Sequence, residues 1–131
     1  MEEVIKQLKK IFQFKEETLP GDVVILFTEE NKTVNYALVM DIIIDESKKD
    51  EWWEVYLLFL QMPPLISTVL LRTPQMNGQE TFTMGGNGRF MAPLKRLEAE
   101  EIKRLRKQAV PKQVEEPKKE SPFKVIDGGK D

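Results

Sequence analysis

Trp52, Glu54 and Tyr56 alternate within residues 51–60, a stretch rich in aromatic and aliphatic side chains. In an extended strand, alternate side chains share a face, and four residues at ~3.3 Å each set the two aromatics about 13 Å apart. Asp50 and Glu51 lie beside them in sequence. Aromatic faces attract cations and carboxylates pair with them, so this pattern suits a reader of Arg- or Lys-bearing or proline-rich peptides. The competing reading is structural. Leu58 and Leu60 continue the same face, which an N-terminal helix or a second subunit would then cover. Trp53, Val55, Leu57 and Phe59 form the opposite, uniformly apolar face and are expected to point into a core.

Other chemistry is scarce. The chain has 131 residues with no cysteine and no histidine, which removes zinc fingers, disulfides, haem ligation, cysteine nucleophiles and histidine-based triads. Ser47, Ser67 and Ser121 lie outside any Gly-x-Ser-x-Gly context. No enzyme and no cofactor are expected. Asp41, Asp45, Asp50 and Glu51 are hard-cation donors by type, but they lack the ligand spacing and central glycine of a calcium loop, and no metal is expected. Gly85-Gly86-Asn87-Gly88-Arg89 offers backbone N–H groups and a guanidinium to an anion. It matches neither the P-loop nor the dinucleotide pattern and is read as a tight turn. Asp22, after Pro20-Gly21, is read as an ordinary turn residue.

These side chains need a scaffold. Val4, Ile5, Leu8, Ile11 and Phe12 make one stripe of a 3.6 period, predicting an amphipathic helix within residues 1–17. Fourteen or so residues are marginal as an isolated helix, so the stripe must dock. Residues 18–92 read as a succession of strands. Residues 23–27 are an unbroken apolar run, and from 34 to 44 every even position is apolar, predicting a strand with one apolar face. Further strands are expected over 51–60 and 65–72. Asn77-Gly78 predicts a hairpin turn leading into a strand over 79–84, with a last short strand at 89–91. Helical patterns do not intervene, which excludes a doubly wound α/β fold.

Residues 93–109 are expected to form a charged helix opened by Pro93, with acids before bases. Residues 110–131, with three prolines and no periodicity, read as a disordered tail. Within it, Phe123, Val125 and Ile126 form a short apolar motif suited to adding as a strand to a sheet edge, the chain's own or a partner's. The expected architecture is a mainly β fold: a small SH3-like antiparallel barrel with flanking N- and C-terminal helices and a tail. Leu19-Pro20-Gly21-Asp22-Val23-Val24 resembles the first strand of many SH3-like barrels, a likeness of fold that implies no particular function.

Twenty Lys and Arg against twenty-two Asp and Glu give a net charge of -2. A dedicated nucleic-acid binder normally has a basic excess, so that role is disfavoured. Its basis would be Lys95, Arg96, Lys103, Arg104, Arg106 and Lys107. Charges throughout residues 1–15 exclude a secretory signal, and the longest apolar tract, 55–71, is too interrupted to span a membrane. A cytoplasmic, non-enzymatic interaction module with a protein or peptide partner is the expectation, and a homo-oligomer remains compatible with it.

Overall fold

A computed structural model describes residues 1–107. The described residues fall into two units, Met1–Arg96 and a second that begins at Leu97. The first unit begins with helix α1 (Glu2–Ile11), followed by strands β1 (Val23–Thr28), β2 (Thr33–Ile44), β3 (Trp52–Phe59) and β4 (Leu65–Arg72). A single helical turn, α2 (Thr73–Met76), then leads to β5 (Phe82–Met84) and β6 (Asn87–Pro93). The strands form one antiparallel sheet in the order β4-β3-β2-β1-β6-β5. It curls into a half-barrel, bringing Val69 and Leu71 of edge strand β4 into one core with Phe82 of edge strand β5. The mainly β expectation holds.

The inner face carries Val24, Leu26, Ala37, Val39, Val55, Leu57 and Met91, all buried. The apolar parity of β2 has a different outcome from that of β3. Ala37 and Val39 are buried, whereas the even residues Val34, Tyr36 and Met40 stand outside, 37–45% exposed. The register shifts between Val39 and Asp41. This bulge inserts one residue and reverses the phase, so that Ile42 packs on the core.

Helix α1 carries Glu2 and Glu3 in its first turn and Lys9 and Lys10 in its last, the order that complements the helix dipole. It covers the outer face of β1 and β6, where Leu8 packs with Phe27, Phe90 and Ala92. The sequence stripe is only partly used, because Ile11 is 70% exposed. The helix ends there, and Phe12 is already extended. Beyond it, Phe14 meets Phe90 edge-on at 6.4 Å and bridges to Leu94.

Two local expectations are corrected. Asn77-Gly78 is no hairpin; it ends α2. Pro74 opens that turn, Asn77 is its C-cap, and Gly78, at φ +80°, lets the next N–H groups return to the Pro74 carbonyl. Helix C-caps and type I′ turns demand the same left-handed backbone, so the dipeptide serves either. A Cβ on Gly78 would also stand 2.8 Å from the Ala92 Cβ. The two-residue hairpin falls at Gly85-Gly86, both left-handed, which joins Met84 to its partner Asn87. Pro93 does not open the last helix. It closes β6 opposite Val24, beyond the reach of β5, where its missing N–H deprives no neighbour.

The second unit contains helix α3 (Ala99–Lys107), with Glu100 and Glu101 in its first turn and Arg104, Arg106 and Lys107 in its last. The Glu98 N–H donates to the Glu101 carboxylate at 3.0 Å. The expectations for residues 110–131, including Phe123, Val125 and Ile126, lie outside the described residues.

Candidate functional site

Register across three strands assembles the outer face that begins with Trp52, Glu54 and Tyr56. Leu58 lies between Leu38 and Ile66, Tyr56 between Asp41 and Thr68, and Glu54 between Ile43 and Leu70. Trp52 sits opposite Arg72. The three sequence-predicted residues of β3 therefore do share a face, each half-buried by its neighbours. Neither α1 nor its cluster reaches this surface, since that helix packs on Phe27 and Phe90 instead. Met40, Ile43, Ile66 and Leu70 are consequently left 38–60% exposed. They make an exposed apolar field on this side of the sheet.

Tyr56 Oη donates to Glu54 Oε1 at 3.0 Å. That hydrogen bond, and next the Glu54 charge, raise the phenol above its ordinary pKa, so the donor stays protonated. The Asp41 backbone partner of Tyr56 adds a second carboxylate to the field, and Arg72 at its end is the one cation on these facing positions.

Beside this face runs the free edge of β4. Among the described residues its backbone pairs with β3 alone. Between β4 and β5 lies a groove of about 410 Å³, bordered by Trp52, Val69, Gln75, Phe82 and Met84. Trp52 thus belongs both to the outer face and to the groove. Edge strands are usually guarded by proline, charge or shortness. Strand β4 has eight residues, Leu-Ile-Ser-Thr-Val-Leu-Leu-Arg, and its only charge is the last. The sequence showed the strand but not that it would be an edge, because edge position depends on which strands the later residues choose to pair with.

The ends of the half-barrel hold two further cavities. One, of about 420 Å³, lies between Glu17, Glu51, Trp53 and Asn77. Here Trp53 Nε1 donates to Thr73 Oγ1, which donates to Glu51 Oε1, both at 2.9 Å. The other, of about 260 Å³, lies at the opposite end of β3 beside Arg89. The acids of the 41–51 region do not converge. Glu51 is held by Thr73, Asp45 accepts from Ser47 Oγ at 2.7 Å, and Asp41 accepts from the Ile42 N–H. Among the described residues no three acidic side chains gather as metal ligands would.

Asp22 is more than a turn residue. Its carboxylate is fully buried and accepts from Lys15 Nζ at 2.7 Å, the Leu19 N–H at 2.8 Å and Arg96 Nε at 3.1 Å. Burial pushes its pKa up, but the Lys15 and Leu19 hydrogen bonds and the two cations outweigh that and hold it below the ordinary value. Arg96 is therefore committed to an internal ion pair rather than to a basic patch.

The fold and this face define a mainly β protein of six antiparallel strands with an open edge. Compared with models of protein families, with curated proteins and with solved structures, the chain matches none. Among the described residues no helix is long and apolar enough to cross a membrane.

Proposed function

We propose that this protein is a non-enzymatic interaction module that binds an extended peptide segment of a protein partner along β4. The observation that carries the reading is the unguarded eight-residue edge of β4 beside an apolar groove. A strand added there would gain main-chain hydrogen bonds from the edge, while its side chains alternate between two environments. One set enters the groove against Val69, Phe82 and Met84. The other lies beside Trp52, Tyr56 and Leu70, where Glu54 and Asp41 favour a Lys or Arg. The same carboxylates oppose self-association through this face, since two copies would bring like charges together. The assignment of the half-barrel as SH3-like is part of the same proposal. It rests on the meander β1 to β4, the short helical turn and the return of β6 to β1.

The test is selection of displayed extended peptides on the full chain. Enriched sequences should alternate apolar residues, carry a Lys or Arg, and lose binding to Trp52→Ala/Tyr56→Ala and to Ile66→Lys. Both variants should keep the wild-type circular dichroism spectrum. Peptides that bind both folded variants unchanged, or a double variant that unfolds, would overturn the proposal.

A further inference from the structure

The second end of the half-barrel carries a feature that strand addition does not use. Arg89 of β6 faces Thr28 of β1 and Phe82 of β5 in register, on the inner side of the sheet. Its side chain enters the cavity of about 260 Å³, whose other polar walls are Thr28, Asn35, Gln61 and Ser67. Among the described residues no carboxylate lines this space. The acid next to Thr28, Glu29, is turned toward the N-terminus of α1, with its carboxylate 3.5 Å from the Met1 amine.

Among the described residues, Arg89 Nε is the one buried side-chain nitrogen or oxygen without a hydrogen-bond partner. A guanidinium stays charged at any physiological pH and presents a rigid fork of donors. Burying one of those N–H groups unpaired is unfavourable, and an anion with two coplanar oxygens relieves it. The remaining wall is apolar, formed by Leu26, Phe59, Leu65, Val69 and Met84. It suits a ligand body that is itself apolar.

We propose that this cavity binds a small carboxylate carrying an alkyl or aryl body. The carboxylate engages the Arg89 fork, the hydroxyl and amide groups satisfy its remaining lone pairs, and the body lies on Phe59 and Leu65. The volume limits the ligand to a short chain or a single ring. Hydrated inorganic phosphate would meet the guanidinium but leave the apolar wall unused. The cavity shares Val69 and Met84 with the groove beside β4, but its anchor Arg89 lies outside that groove.

The experiment is titration of the full ¹⁵N-labelled chain with hexanoate and benzoate, read at the Arg89 Nε–Hε resonance. The expected result is a saturable downfield Hε shift with either acid, no Hε shift with hexanol, and weaker binding of inorganic phosphate. Arg89→Gln should weaken hexanoate binding about tenfold or more, and Arg89→Lys should fall between, because it keeps the charge and loses the fork. Absence of an Hε shift, equal response to hexanol, phosphate binding as tight as hexanoate, or unchanged binding by Arg89→Gln would each overturn the proposal. Should Arg89→Gln fail to fold, the wild-type titration with hexanol and phosphate as controls decides alone.

Discussion

Asp22 joins the three segments around it because its carboxylate has donors from each: Lys15 before β1, Leu19 in the turn, and Arg96 after β6. Removing the charge leaves Lys15 half-buried without its partner. Asp22→Asn should therefore cost about 3 kcal/mol in urea unfolding at neutral pH, the low end for breaking a buried pair, because Arg96 remains solvated. The pH dependence has a definite sign. The folded pKa lies below the ordinary 3.8, so the stabilisation is present above that value and is lost as pH falls through the folded pKa. Wild-type stability should drop more steeply than that of Asp22→Asn below pH 3.8; equal acid slopes would refute the role. None of this was legible locally. Pro20-Gly21-Asp22 reads as a turn, and the two cationic partners lie 7 and 74 residues away.

At the level of elements, local pattern and tertiary context contribute unequally. Strand β4 and the Gly85-Gly86 hairpin follow from pattern alone, since strand parity and left-handed backbone are local demands. Other elements needed distant information. The even-numbered apolar residues of β2 form a regular stripe, yet a bulge at Met40 divides it between two faces, and a bulge leaves no mark in hydrophobic periodicity. Asn77 looked like half of a hairpin, while its side chain accepts from the Thr18 N–H at 2.8 Å and anchors the segment before β1. The site was half legible for the same reason. Parity put Trp52, Glu54 and Tyr56 together, but the open β4 edge emerged only from the order of strands. The α1 stripe gives a direct contrast. Leu8 is buried against Phe27 and Phe90, so Leu8→Ala should cost about 2–3 kcal/mol. Ile11 belongs to the same stripe but is exposed, so Ile11→Ala should stay within about 0.5 kcal/mol. Thermal or urea denaturation of the two variants distinguishes docking by contact from docking by pattern.

Over the whole molecule, charge separates the two kinds of partner. Residues 1–96 carry eleven basic and fourteen acidic side chains, and the remaining residues carry nine and eight. Phosphate binding requires Lys and Arg free to displace counterions. In the first unit Lys15 and Arg96 are bound to Asp22. The outer face of β2, β3 and β4 presents Asp41 and Glu54 against the single Arg72. Among the described residues, the last turn of α3 carries Arg104, Arg106 and Lys107 after three acids within residues 97–107, and the last turn of α1 carries the smaller pair Lys9 and Lys10 behind Glu2 and Glu3. A peptide bearing Lys or Arg meets a complementary surface on the first unit; a polyanion meets a repulsive one. The full chain should therefore pass through heparin without retention at low ionic strength, where phosphate-like contacts are strongest. It should also leave a labelled oligonucleotide unshifted under the same conditions. Retention that disappears when Arg104, Arg106 and Lys107 are replaced by Gln would place a polyanion site on α3 and reverse the preference for a peptide partner.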